Sequence, residues 1–196
     1  MAVVASLWIA ALVQSAPAAV PSPPERAFAE CRSPVYAVDY LICDDAALLA
    51  GEDEMRRLWL ARTSPAGSSP WIEDQEIWLR RRALCAFRDD QRACVEEAMS
   101  ERLRILSASP GSVAGVTAVC NSSTGTERLQ LAIRKENVAA FDEFGEVAFV
   151  AVPVSRNWTP FVQIVSARRL SFRRQDGATL RCRPDRSPRQ GDGEPR

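Results

Sequence analysis

The chain has 196 residues with 25 basic groups, 25 acidic groups and no histidine. This length allows one domain or two small ones, and a hydrophobic share of 46 % is enough to bury a core. The missing histidine excludes a Ser-His-Asp triad, a Cys-His pair and every His-ligated metal site, and zero net charge gives no sign of wholesale nucleic-acid binding.

Ala2 to Val13 is an apolar run of the length of a signal h-region, too short to span a bilayer comfortably. Ala16-Pro17-Ala18 follows as a small-x-small cleavage pattern, although no Lys or Arg precedes the run. The pattern predicts a cleaved signal peptide over 1–19, against the alternative of a buried apolar helix. Cys31 lies too far from the run to be a lipobox cysteine, so the expected product is periplasmic or secreted and not a lipoprotein. Residues 20–29 are Pro-rich and read as a mobile lead-in.

Residues 30–106 read as helical. Leu41, Leu48 and Met55 repeat at seven and Trp59 follows four later, which predicts one helix from about Val38 to Ala61. Ser64-Pro65 to Pro70 ends it, Ser69 serves as an N-cap, and a second helix starts at Trp71 and bends near Asp89-Asp90. Gln75, Trp78, Arg82 and Cys85 fall within about 80° of arc on one helix face. The structural reading of that face is a staple, a gap-filling indole and two groups satisfying buried partners; the functional one is direct binding by Trp78 or Arg82.

The six cysteines all follow the cleavage site, which in an exported chain implies three disulfides. Antiparallel packing about a turn near Ala66 favours a nested pairing, Cys31–Cys94 with Cys43–Cys85, over Cys43–Cys94 with Cys31–Cys85. Either set closes long loops, each contributing about 3–4 kcal/mol in the chain-entropy model.

Residues 107–114 are a linker and 115–183 alternate as strands. The apolar series are Val116, Ala118, Cys120; Leu129, Leu131, Ile133; Val147, Phe149, Ala151; Phe161, Gln163, Val165; Leu170, Phe172; and Ala178, Leu180, Cys182, with an extra short strand over Val138 to Phe141. They predict a small antiparallel β-barrel or sandwich, giving an α+β protein with helices first. Cys120 and Cys182 sit in phase with the buried residues of the first and last strands and are expected to bond, against a bond from each to the helical half. Residues 184–196 are Pro, Gly and charge and are expected to be disordered. The charge divides with the pattern: residues 27–106 carry net −4 and residues 107–196 net +4.

The helical part resembles the LprI-type lysozyme inhibitor family, whose members show an early Cys, then Ile-Cys, then Leu and Asp, then Gln-x-x-Trp-x-x-x-Arg-x-x-Cys. Cys31, Ile42-Cys43, Leu48, Gln75, Trp78, Arg82 and Cys85 fit, as do Cys94, Arg102 and Leu106. Glu52 stands in place of Asp, and Trp59 and Met99 in place of Tyr. The resemblance implies a helical hairpin with two disulfides and, less securely, lysozyme inhibition. The β part resembles the MliC-like C-type lysozyme inhibitors in size, in its terminal cysteine pair and in the ending from Leu170-Ser-Phe172 to Gly177-Ala-Thr-Leu180. That family's inhibitory Ser-Gly-x-x-Tyr stretch is not matched by Val165-Ser166-Ala-Arg168-Arg169-Leu170, so its inhibitory contact does not carry over.

The chemistry points to binding and not to turnover. Asp44-Asp45, Glu52-Asp53-Glu54, Glu73-Asp74 and Asp89-Asp90 project about 100° apart along a helix and do not converge on one atom. They read as solvated faces, and no catalytic residue, cofactor or metal is expected. Asp44, Asp45, Glu52, Asp53, Glu73 and Asp74 are the expected partner-facing patch, since acidic potential steers a basic lysozyme. Arg168, Arg169, Arg173, Arg174, Arg181 and Arg183 gather in the last strands; a solvated face is the default reading, and contact with anionic lipid or cell-wall polymer is favoured over nucleic acid. Asn121-Ser-Ser123 and Asn157-Trp-Thr159 match glycosylation sequons, which arise readily by chance. The expected function is an exported inhibitor that binds lysozyme or another cell-wall hydrolase. The alternative is an envelope structural or adaptor protein that binds another protein or the cell wall; a carboxylate hydrolase ranks last. No membrane span is expected.

Overall fold

The computed structural model describes residues 28–61, 69–109 and 115–185; the predicted signal segment, most of the lead-in and most of the tail lie outside them. Helices α1 (Ala37–Asp44), α2 (Ala46–Leu60), α3 (Gln75–Ala83) and α4 (Gln91–Ser107) come first, with a 3₁₀ turn over Leu84–Phe87. The single helix expected over 38–61 is divided at Asp45, whose backbone is extended at φ −109° and ψ 112°. Its carboxylate accepts from the amides of Ala47 (2.9 Å) and Leu48 (3.1 Å), so it caps α2 instead of continuing α1. Asp74 and Asp90 cap α3 and α4 in the same way, which places the predicted break at 89–90 correctly.

The second helix does not begin at Trp71. Ser69 makes a turn there, its Oγ accepting from the Trp71 amide (3.2 Å) and its carbonyl from that of Ile72 (3.0 Å). The helix starts four residues later, behind Asp74. Leu48, Met55, Trp78, Val95, Ala98 and Met99 form the helical core. Gly51 permits the close approach of α2 to α4, since a Cβ there would stand 3.0 Å from the Met99 methyl. Phe28 and Ala29 pack against this core, so the end of the predicted mobile lead-in is part of the fold.

The helical disulfides are Cys31–Cys43 and Cys85–Cys94, and neither expected pairing occurs. The expectation took α2 and the Trp78 helix as the two arms of a hairpin. The break at Asp45 takes Cys43 off the α2 axis, and α4, not α3, packs along α2 in the core. Each bond therefore staples a local corner, across separations of 12 and 9 residues. Such short loops lower the chain-entropy contribution to about 3 kcal/mol each.

The second part is a nearly closed antiparallel sheet in the order β4-β3-β2-β1-β7-β6-β5. Its strands are β1 (Val116–Ser122), β2 (Gly125–Ile133), β3 (Val138–Phe141), β4 (Val147–Ala151), β5 (Val162–Ser166), β6 (Ser171–Arg174) and β7 (Thr179–Pro184). All seven predicted strands are present. Val152 nearly joins the two edges: its amide donates to the Val162 carbonyl and its carbonyl accepts from Ile164, both at 3.1 Å. Cys120 and Cys182 face each other across β1 and β7 and are bonded as expected. The predicted phase of β5 is inverted: Val162 is buried, whereas Val165 is exposed and Gln163 pairs beside the outward Arg173. A register shift between Ile164 and Ser166 accompanies the change. Strand β4 is buried on both faces, Phe149 and Ala151 toward the barrel core and Val147 and Val150 against Ile72 and Ile105 of the helical part.

Non-reducing peptide mapping should recover Cys31–Cys43, Cys85–Cys94 and Cys120–Cys182, and recovery of Cys31–Cys94 would contradict the structure. Replacing both Cys120 and Cys182 by Ala should lower unfolding stability by about 4 kcal/mol, the largest loss of the three bonds because its loop is longest.

Candidate functional site

The residues of the predicted motif lie inside the helical part. Ile42, Leu48, Glu52, Gln75, Trp78, Arg82 and Arg102 are all buried. Arg82 donates to the Glu52 carboxylate at 2.6 Å, and the second Glu52 oxygen accepts from the Ala29 amide at 2.6 Å. The Arg82 guanidinium stands 4.9 Å from the Trp78 ring centre and that of Arg102 5.7 Å from it. Arg102 also donates to the Glu73 carbonyl at 2.8 Å. Gln75, Trp78, Arg82 and Cys85 are all buried, and the structural reading holds for Arg82, which satisfies the Glu52 carboxylate; the Glu73 carbonyl is answered by Arg102, and Cys85 bonds Cys94 locally instead of stapling a hairpin.

The predicted acidic patch does not assemble. Glu52 and Glu73 are only 1 % and 2 % exposed, and each is held by an arginine. Glu52 on α2 is buried against Arg82 and the Ala29 amide inside the helical part, and Glu73, just ahead of α3, is buried against Arg81, so neither reaches the surface. Asp45 caps α2 and accepts from Arg92 at 2.7 Å; that guanidinium and the Leu48 amide hold its carboxyl below the usual range. Asp74 caps α3, although it is exposed. Asp44 and Asp53 remain as exposed carboxylates.

A junction that the sequence did not single out ties the two parts together. Arg81 on α3 holds the Glu73 carboxylate with two bonds of 2.8 and 2.5 Å and reaches Glu101 on α4 at 3.2 Å. Its guanidinium lies 4.0 Å from the ring centre of Trp158, which follows β4, and donates to the Thr159 carbonyl at 2.6 Å. Glu101 accepts from the Trp158 indole N–H at 2.5 Å and from the Phe161 amide at 2.7 Å. Asn157, of the second sequon, donates to Glu97 at 3.0 Å. The two parts also exchange tryptophans: Trp158 enters the helical core and Trp71 enters the barrel core, 6.4 Å from Phe149 between ring centres. The available signal was a lone Trp in each polar connection, a residue type that is costly to leave exposed.

Among the described residues, features open to a partner include two clefts and a loop. Clefts of about 260 and 500 Å³ run along α4 where it meets the β part, and both include Arg104. The loop is the one closed by Cys85–Cys94. It carries Phe87, 85 % exposed, followed by the exposed run Arg88, Asp89 and Asp90. Among the described residues no group of three or more His, Cys, Asp or Glu could hold a metal, and no helix is long and apolar enough to cross a membrane. Comparison with protein-family models, curated proteins and solved structures finds no match to the chain.

Burial pushes the Glu101 carboxyl above its ordinary value of 4.5, against the lowering effects of Arg81, the Trp158 indole and the Phe161 amide. A raised folded value makes this contribution to stability greatest below 4.5 and diminishes it as pH rises through the folded titration. Unfolding measurements should therefore show wild type losing stability relative to Glu101→Gln as pH increases from 4.5. At neutral pH Glu101→Ala should cost about 1–3 kcal/mol for each donor left unanswered, the Trp158 indole N–H and the Phe161 amide, while Arg81 keeps Glu73.

Proposed function

We propose that this chain is an exported binding protein that inhibits a muramidase by seating a rigid loop in its cleft. The observation that carries the reading is Phe87, a large apolar side chain almost wholly in water, held in a loop closed by the Cys85–Cys94 bond. An exposed aromatic on a braced loop costs little ordering entropy on binding and supplies the buried anchor that tight interfaces need. Asp89 and Asp90 put acidic charge beside it, and Asp90 is itself fixed as the α4 cap, so the steering of a basic enzyme is assigned to this loop and not to the dispersed patch of α2. Three disulfides fit an oxidising compartment outside the cytoplasm. The resemblance to two lysozyme inhibitor families supplies the target class.

The test is cell-wall lysis by C-, G- and I-type lysozymes with the oxidised protein titrated in at two salt concentrations. Stoichiometric inhibition that weakens with salt is expected, and Phe87→Ala should raise the inhibition constant by at least about 30-fold, the scale of a hot-spot residue. Absence of inhibition with all three classes at micromolar protein would end the reading, and inhibition indifferent to Phe87→Ala would remove the loop from it.

A further inference from the structure

The outward face of the β part carries an arginine lattice set by strand register. On β7 the side chains alternate, so Leu180 and Cys182 enter the core while Arg181 and Arg183 point away from it. Arg183 pairs with Val119 of β1, which pairs with Arg128 of β2. Arg181 is flanked by Asn121 on β1 and Ser171 on β6, and Arg173 lies opposite Thr179, one step along. The β5–β6 turn brings Arg168 and Arg169 to the same end, because the Leu170 carbonyl accepts from the Cys182 amide at 2.9 Å. Sheet geometry spaces such positions about 5 Å across strands and about 7 Å along them.

This face is not neutralised from within. Of the acids of the helical part, Asp45, Glu52, Glu54, Glu73, Glu76, Glu96 and Glu101 are drawn to arginines of that same part. Asp185 reaches Arg128 at 3.1 Å, and Asp176 is held by Arg174, which lowers its carboxyl to about 2. Among the described residues Arg168, Arg169, Arg173, Arg181 and Arg183 enter none of the salt bridges and all are exposed. Five like charges on a solvated face repel one another, and a polyanion relieves that repulsion while releasing its own counterions.

We infer that this face is a docking surface for a flexible phosphodiester polymer without bases, of the poly(polyol phosphate) kind. Guanidinium forks match phosphate oxygens bidentately. The groups around the arginines are Thr126, Asn121, Ser171, Thr179 and Gln163, which offer hydrogen bonds but no aromatic platform on which a nucleobase could stack. The apolar members are short, Val119 and Val165 at the β5 edge, and give nothing of the Trp, Phe or Leu kind that anchors a protein in a bilayer. The outside of a nearly closed barrel is also convex, so a chain can follow it where a flat bilayer would touch only part of it. The surface lies on the β part, apart from the Phe87 loop, so it stands whether or not the chain inhibits a muramidase.

The test is calorimetric binding of the oxidised full chain to poly(glycerol phosphate) over a salt series. Comparators are oligo(dT) with the same number of phosphates and phosphatidylglycerol–phosphatidylcholine vesicles. The expected result is salt-sensitive binding to the polymer, weakened at least about 100-fold when Arg168, Arg169, Arg173, Arg181 and Arg183 are all changed to Ser. The slope of log K against log salt should shrink by about 0.7 per arginine removed. Arg32→Ser with Arg80→Ser, both on the helical part, should leave binding unchanged. Phenylglyoxal footprinting of the wild type, which needs no variant to fold, should show Arg181 and Arg183 protected by the polymer. The inference is overturned by no polymer binding at low salt, by equal binding of the five-site variant, by unprotected Arg181 and Arg183, or by tighter binding of oligo(dT) or vesicles. Muramidase inhibition measured on the five-site variant reports on the Phe87 loop separately.

Discussion

The arrangement of the two parts depends on one guanidinium. Arg81 is held by Glu73 ahead of its own helix and by Glu101 on α4, while its face rests on the Trp158 indole from the β part. Buried ion pairs add little net stability, because desolvation offsets most of their attraction, but a misplaced partner leaves a charge unanswered in low dielectric. The result is a docking geometry with little tolerance for sliding. The exchange of Trp71 and Trp158 between cores adds apolar area to the same junction, so hydrophobic burial supplies the driving force and the charged cluster the register.

This junction explains why individual acids of the helical part are a poor guide to its surface. Several of its acids are answered internally, Glu52 by Arg82, Glu73 and Glu101 by Arg81, and Asp45 by Arg92, which decides where the negative charge sits and leaves the net of −4 as it is. The basic surplus of the β part follows the opposite course. Strand alternation sends Arg173, Arg181 and Arg183 outward, where few acids follow, and the hairpin turn adds Arg168 and Arg169. A chain of zero net charge therefore folds into a body with one strongly cationic face.

The disulfides fit the same economy of structure. The helical bonds brace local corners, one at the entry to α1 and one around the Phe87 loop. The third joins adjacent strands that lie 62 residues apart and ties the start of the β part to its end. It lies in the middle of the sheet, whereas the Val152 bridge limits fraying at the edges, β4 and β5.

Much of the local structure was legible in the sequence. Period-2 alternation located six of the seven strands, though with the phase of β5 inverted, and put Cys120 opposite Cys182, because side-chain direction in a strand follows from parity. Helical spacing put Gln75, Trp78, Arg82 and Cys85 on one face, and the aspartate pair at 89–90 marked the break before α4. What the sequence could not decide was which helix lies beside which, since two helices of similar polarity leave the packing partner open. The cap at Asp45 and the turn at Ser69 settled that in three dimensions and changed the cysteine partners with it. Burial of Glu52, Glu73 and Glu101 was likewise invisible, because a carboxylate is indistinguishable from a surface acid until the arginine that answers it, as many as 30 residues away, is brought within 2.6 Å. Period and capping are local physics and can be read from neighbours in the chain; charge pairing and interhelix choice are long-range, and only the tertiary structure could decide them.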